Sequence, residues 1–489
     1  MNFRAVIYIL GWVLNIEGAF LLLPFLVSLF YREPEGGAFL LTALICLVCG
    51  ILIVLKKPKQ LNFFAREGFT VTAASWIILS IAGCLPFIIS GEIPSFADAL
   101  FETVSGFTTT GASILNQVEA LSHASLFWRS FTHWIGGMGV LVFLLALIPI
   151  TGGSHVHIMR AESPGPSVDK LLPKVRQTAS ILYIIYIALT LLEVLLLTAG
   201  KMPVFDAVTI TFGTAGTGGF GIKSDSLGSY SPYIQWVVGV FMMLFGINFG
   251  FYFLLLTKRF RTALLHEEVR SYILIILAAV AIIMISITKS GALAEMCFAD
   301  QLRHTFFQVS SIITTTGFTT LDYDTLWPQT ATVTLVILMF IGACAGSTGG
   351  GIKVSRAVIM MKTVKKELTL FFHPKRIVVI KLDQRPVPHE VIRSINVFII
   401  AYLLVFILSV LLVSTDGQDF YTTFTAIAAT LNNIGPGLGN AGPTESFSHF
   451  STLSKYVMIF DMLAGRLELY PLLVFFAPEF WKSFFKPSF

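Results

Sequence analysis

Apolar residues run along this chain in blocks separated by short polar turns, and the blocks fall into two length classes. Ten of them, at approximately 5–30, 38–55, 69–90, 126–150, 178–199, 232–257, 270–288, 329–360, 391–414 and 452–480, are long enough for a helix that crosses a bilayer, which takes ~20 apolar residues. Four more, near 96–108, 204–215, 299–314 and 419–431, are half-length. A half-length apolar helix that ends in a polar turn enters the membrane and comes back, provided protein or water covers its non-helical part. The pattern predicts an all-α integral membrane protein with ten transmembrane helices and four re-entrant half-helices.

Each half-length block leads into one phrase. It reads Thr108-Thr109-Thr110-Gly111, Gly216-Thr217-Gly218-Gly219-Phe220, Thr314-Thr315-Thr316-Gly317-Phe318 and Asn432-Asn433-Ile434-Gly435, with glycines 111, 219, 317 and 435 spaced by 108, 98 and 118 residues. Such a period predicts four pseudo-symmetric helix–pore helix–helix units around one axis. They are assigned to residues 67–160, 161–262, 263–375 (with a broken inner helix) and 376–489, after two leading transmembrane helices in 1–66. An aspartate stands near each half-helix opening (Asp98, Asp206, Asp300, Asp419), where it caps free amides and suits the positive end of the dipole. The negative C-terminal ends then face the axis, where a cation is stabilised.

A cation leaving water needs replacement oxygens, and backbone carbonyls supply them without burying a fixed charge. Turning successive carbonyls toward an axis takes dihedrals that a Cβ penalises, which is why glycine recurs. The expected selectivity filter comprises Thr109, Thr110 and Gly111, then Thr217, Gly218 and Gly219, then Thr315, Thr316 and Gly317, and finally Asn433, Ile434 and Gly435. The hydroxyls of Thr110, Thr217 and Thr316 either add ligands or brace the loops.

Composition agrees with a lipid setting: 55% of residues are hydrophobic, 12% are charged, and mean hydropathy is +0.80. With 44 Phe against 28 acidic residues, no part of the chain makes a polar surface large enough for water. The first block is too long for a removable signal peptide and lacks a cleavage pattern, so it is expected to stay as a helix. The net charge of +5 matters through its distribution. If the half-length blocks do not cross and the N-terminus is cytoplasmic, most of the 33 basic residues fall on one side, in the loops around 56–66, 160–176, 258–270 and 353–393 and at both ends. The positive-inside rule then places both termini in the cytoplasm.

Two further features stand at membrane depth. Gly342-Ala-Cys-Ala-Gly346-Ser347-Thr348-Gly349-Gly350-Gly351-Ile-Lys353 interrupts the second long helix of unit three, and so many glycines cannot stay helical at ~1 kcal/mol each. The run is not a phosphate loop, because Ile352 stands where the lysine should follow Gly351 and no strand precedes it. It reads as a plug beneath the filter, with Gly346, Ser347, Thr348, Gly349, Gly350 and Gly351 as gate residues. Arg466 lies within the last apolar helix, where an unpaired arginine costs at least ~2.5–3.5 kcal/mol. It either pairs with Glu468, Asp461 or Glu193 or lines an inner cavity and repels cations there.

The remaining chemistry is sparse. Cys46 and Cys49 form a C-x-x-C inside an apolar run with no partner pair, and read as two small lipid- or helix-facing residues. His155-x-His157 reads as a solvated loop pair, and most histidines fall at predicted helix ends or loops. An intramembrane enzyme would need paired carboxylates, a histidine cluster or a Ser/Lys dyad at depth, so no enzyme is expected. A secondary transporter would show two inverted halves instead of four parallel units. No polar stretch is long enough for a nucleotide-binding domain, so regulation by nucleotide would come in trans.

Gly106-Phe107-Thr108-Thr109-Thr110-Gly111-Ala112, His133-Trp134-Ile135-Gly136-Gly137-Met138-Gly139, Gly218-Gly219-Phe220, Thr314–Phe318, Gly346–Lys353 and Asn432–Gly439 together resemble the Trk/Ktr/HKT superfamily of cation transporters, and most of all its bacterial TrkH branch. The resemblance covers essentially the whole chain. It implies a potassium uptake protein of the bacterial cytoplasmic (inner) membrane, channel-like or alternatively an H+- or Na+-coupled symporter. K+ would be the transported ion, held at Thr110, Gly111, Gly218, Gly219, Thr316, Gly317, Ile434 and Gly435, with no organic cofactor. It further implies a gate made by the glycine-rich loop with Arg466, a homodimer, and a cytosolic RCK-type, TrkA-like nucleotide-binding ring as partner. Lipid surrounds the chain and nucleic acid has no part. The Na+-favouring plant HKT proteins resemble this pattern except for a serine in the first loop.

Overall fold

The computed structural model describes residues 3–58, 65–139, 175–476 and 478. Six helices in it are uninterrupted and apolar enough to cross a membrane: Phe3–Tyr31, Gly36–Val54, Glu67–Ser90, Ser180–Ala199, Glu267–Ser290 and His389–Asp416. Their outward positions carry exposed leucines such as Leu52, Leu195, Leu274 and Leu404, the surface a multi-pass membrane protein presents to acyl chains. The first two helices lie against each other with small residues between them. A Cβ on Gly50 would stand 2.8 Å from the Gly11 carbonyl oxygen, so glycine permits this approach.

The half-length blocks are four short helices, Phe96–Phe107, Val204–Gly216, Phe298–Ile313 and Phe420–Leu431. Local chemistry starts and stops them. Ser95 accepts from the Asp98 amide, and Asp419 from the Thr422 amide at 3.1 Å, while Asp206 and Asp300 sit in the first turn. Bonds from the hydroxyl and amide of Thr422 hold the Asp419 carboxyl below the usual carboxylate range. At the other end each helix closes with the same pair of backbone bonds. The amides of Thr109, Thr217, Thr315 and Asn433 donate three residues back, and those of Thr110, Gly218, Thr316 and Ile434 donate five residues back, at 2.8–2.9 Å. This is the Schellman closure, and it needs a left-handed residue after the helix. Thr109, Thr217, Thr315 and Asn433 fill that role with φ of 55–58°.

Packing runs in a closed cycle. The helix His123–Met138 lies on the second short helix, Pro232–Phe245 on the third, Gln329–Phe340 on the fourth, and Thr452–Arg466 on the first. The leading pair packs against Ala65–Ser90 and, through its first helix, His123–Met138, outside that cycle.

Of the four helices that close the cycle, three break and resume and the first ends at the limit of the described residues, whereas the glycine run of the sequence points to a break in unit three. His123–Met138 ends at Gly139 with φ 76°. Pro232–Phe245 turns by 90° into Phe249–Leu256, where the Asn248 side chain accepts from the Gly250 amide at 2.7 Å. Gln329–Phe340 resumes as Val354–Phe372 after the glycine-rich segment. Thr452–Arg466 stops before Glu468 and Leu469, both at positive φ, and restarts as Tyr470–Leu473. Residues 381–386 form a small hairpin beyond the third break, Lys381–Leu382 paired with Arg385–Pro386. His155, His157, Arg160, Lys170 and Lys174 lie outside the described residues.

Candidate functional site

The four turns that follow the short helices meet in one ring. A Cβ on Gly111 would overlap the carbonyl oxygen of Gly218, one on Gly219 that of Thr316, and one on Gly317 that of Ile434. A Cβ on Gly435 would stand 2.7 Å from the Thr110 carbonyl oxygen, so the sequence of neighbours closes on itself. All four glycines have φ between 76° and 102°. Each is thus required twice, by its dihedral and by the next loop's carbonyl. All four also line one cavity, with Asn116, Arg129, Lys223 and Glu445 at its walls.

The threonine side chains brace the loops. Thr108 and Thr110 share a hydroxyl bond of 2.8 Å, and Thr314 and Thr316 one of 2.7 Å. The Thr217 hydroxyl donates to the Gly216 carbonyl at 2.6 Å. Asn433 donates through Nδ2 to the Thr110 hydroxyl at 3.0 Å and to the Met462 carbonyl at 2.8 Å, tying the fourth loop to the first.

Behind the ring stand residues that sequence reasoning did not assign. Glu102 and Arg129 form a buried pair at 2.7 Å. Glu102 also accepts from the Ser113 hydroxyl and the Ile114 amide, and Arg129 donates to the Gly221 carbonyl at 3.2 Å, so one ion pair joins the first two loops. Its guanidinium lies 4.1 Å from the Phe220 ring centre. His133, which the sequence places within the 126–150 block without a role of its own, is fully buried within the helix His123–Met138. Its Nδ1 donates to the Gly106 carbonyl at 2.8 Å and its Nε2 accepts from the Phe220 amide at 3.3 Å, which assigns a neutral imidazole. The signal available in the sequence was an arginine and a histidine four residues apart, Arg129 and His133, in an otherwise apolar block.

Beneath the ring, at the C-terminal ends of the short helices, lies the segment from Ile341 to Lys353. It touches the second, third and fourth quarters directly and reaches the first through Arg466. The Phe249 amide donates to the Gly346 carbonyl at 3.0 Å, and the Thr348 hydroxyl to Phe245. The Gly350 amide donates to the Thr315 hydroxyl at 2.6 Å. A Cβ on Gly350 would stand 2.6 Å from the Asn432 carbonyl oxygen. Arg466 donates to the Thr348 carbonyl at 2.7 Å and, on its other side, to the carbonyls of Gly136 and Gly137. It therefore bridges the fourth and first quarters across the segment, while Glu468 pairs with Arg356. Both flanks of the segment are held by one carboxylate oxygen of Glu268, which accepts from the Ala345 amide at 2.7 Å and the Ser355 amide at 3.1 Å.

A family model described as TrkH, cation transport protein, matches residues 35–483. The chain belongs to the TrkH family. Full-length likeness extends to the Trk system potassium uptake protein TrkH of Salmonella typhimurium, 39% identical over 99% of this chain and all of that one. The TrkH protein of Escherichia coli K12 is 38% identical over the same shares. The crystal structure of the potassium transporter TrkH from Vibrio parahaemolyticus superposes with a TM-score of 0.88 at 33% identity, covering 98% of this chain and 100% of the other. TrkH-family membership makes the chain a multi-pass cation transport protein, and the ring lies within the matched region.

Proposed function

We propose that the chain is the membrane-spanning subunit of a bacterial potassium uptake system of the Trk type, and that it conducts K+ through the glycine ring as a selectivity filter. Four helix–pore helix–helix units around one pore, ten transmembrane helices in all with both termini cytoplasmic, are the architecture of this reading. The observation that carries it is the closed cycle in which each glycine abuts the next loop's carbonyl. Such a ring brings carbonyl oxygens of Thr110, Gly218, Thr316 and Ile434 together at the ends of four helix dipoles, where a dehydrated cation is stabilised. The printed names of the relatives supply K+ as the ion.

The 346–351 loop with Arg466 acts as the gate in this reading. The loop lies across the route inward from the ring, and it is tethered by hydrogen bonds that a moved helix would break. A homodimer and a cytosolic RCK-type ring that docks on the basic surface of 353–393 complete the assembly, since the described cytoplasmic segments are too short to sense a nucleotide.

Purified chain alone in liposomes should take up 86Rb+, with K+ competing and Na+ competing poorly. Absence of flux, or equal competition by K+ and Na+, would sink the filter reading. Uptake that follows an imposed pH or Na+ gradient instead of the Rb+ gradient would favour the symporter.

A further inference from the structure

Three consecutive carbonyls of the segment beneath the ring point to fixed cations. The Thr348 carbonyl accepts from Arg466. Those of Gly349 and Gly350 both accept from the Lys353 ammonium, the second at 3.2 Å. Lys353 is 2% exposed and precedes the first turn of Val354–Phe372, so its side chain folds back over the loop instead of reaching toward water. Nothing about helix geometry requires this, because the residue makes no side-chain cap. Burying an ammonium is costly unless its donors are matched, and here loop carbonyls match them.

The same two residues touch the proposed filter from below. Gly350 donates to the Thr315 hydroxyl, and a Cβ on Gly349 would stand 2.9 Å from the Thr314 carbonyl oxygen. A carbonyl pair at that level, filled by an ammonium, is a place where a monovalent cation of similar size would be held by the same oxygens. We propose that the Gly349 and Gly350 carbonyls form a cation site below the filter, and that Lys353 is its resident, tethered cation. The ammonium excludes a permeant ion from the site and clips the loop into its folded form. Opening requires Lys353 to withdraw, after which the site takes K+ or Rb+.

This inference rests on the gate reading, and the test separates the two. 86Rb+ uptake is measured in liposomes for the parent, Lys353→Met, Lys353→Arg and a chain lacking residues 346–351. Lys353→Met keeps the length and removes the charge; its uptake should rise about tenfold, equivalent to ~1.4 kcal/mol of barrier. Lys353→Arg should stay much nearer the parent. In melting experiments with the purified protein, Rb+ should raise the melting temperature of Lys353→Met more steeply than that of the parent, because two carbonyls have lost their occupant. Unchanged uptake in Lys353→Met beside a leaking deletion overturns the tethered cation and leaves the gate standing; unchanged uptake in both overturns both. An equal rise in Met and Arg, or equal Rb+ slopes in melting, also overturns the proposal. Should Lys353→Met fail to fold, Lys353→Gln carries the same readings.

Discussion

The ring of glycine loops and the segment beneath it are made of the same residues, threonine and glycine, put to opposite uses. Around the ring every turn repeats one left-handed residue, one pair of backbone bonds and one glycine against the next loop. Its supports, Glu102 with Arg129, His133 and Asn433, lie behind the carbonyls or join one loop to its neighbour. The segment occurs once, meets a different partner in each of three quarters, and has its carbonyls engaged by Arg466 and Lys353. A site that must present equal oxygens to an ion gains from repetition. An element that must move gains from being single, since one set of bonds then decides between two positions.

Removing the single element is expected to have the largest effect. Deleting residues within 346–351 should raise basal Rb+ uptake by about tenfold or more without changing the K+/Na+ preference, because the filter is intact. A deletion that folds, reaches the membrane and conducts no more than the parent removes the proposed gate. Arg466→Ala releases both the Thr348 carbonyl and the Gly136–Gly137 carbonyls, and should raise uptake about three- to tenfold. Combined with the deletion it should add almost nothing, whereas independent sites would add within ~0.5 kcal/mol. Loss of the folded protein in Arg466→Ala, read by size-exclusion chromatography, would make the bridge structural.

Substitutions in the ring test whether its four parts are as equal as they look. Gly111→Ser puts a Cβ onto the Gly218 carbonyl at a φ of 81°, a strain of order 1–3 kcal/mol, and should lower the K+/Na+ preference about tenfold. Gly435→Ser meets the Thr110 carbonyl less closely, at 2.7 Å, and should cost less. An unchanged ion ratio for Gly111→Ser would take Gly111 out of the filter. The smallest effect on the pore itself is expected from charge reversal at Lys365, Lys375 and Arg376, which are exposed, together with the half-buried Lys366. Capture of the regulatory ring should weaken by several-fold, at ~0.2–1 kcal/mol per surface charge, with ion preference intact. Undiminished capture would move the docking surface elsewhere.

The same contrast explains what was legible in the sequence. The short helices and ring glycines were visible because each is demanded locally: a half-length apolar run, a capping aspartate or serine, a backbone that only glycine accepts. Residues 342–351 announced their break by losing helix propensity. The bend at Gly246–Asn248 and the stop at Glu468–Leu469 were passed over, because the apolar runs on both sides outweigh the few polar residues, glycines and Pro471 that stand there. What interrupts them is tertiary, such as the Phe249 amide taken up by Gly346. Glu102, Arg129 and Lys353 were opaque for the same reason, their partners lying on other elements. The sequence offered Glu468 as a partner for Arg466, but Arg356 holds Glu468.

The bond from Asn433 to the Thr110 hydroxyl joins residues 323 positions apart. Synthesis runs from the N-terminus, so the first loop is made long before the residue that secures it, and so is the Thr110 carbonyl that Gly435 completes. Until residue 435 has left the ribosome and entered the bilayer, the ring is an open arc with its first and last edges unsupported. A chain that ends before Gly435 therefore lacks the side of the ring that closes on Thr110.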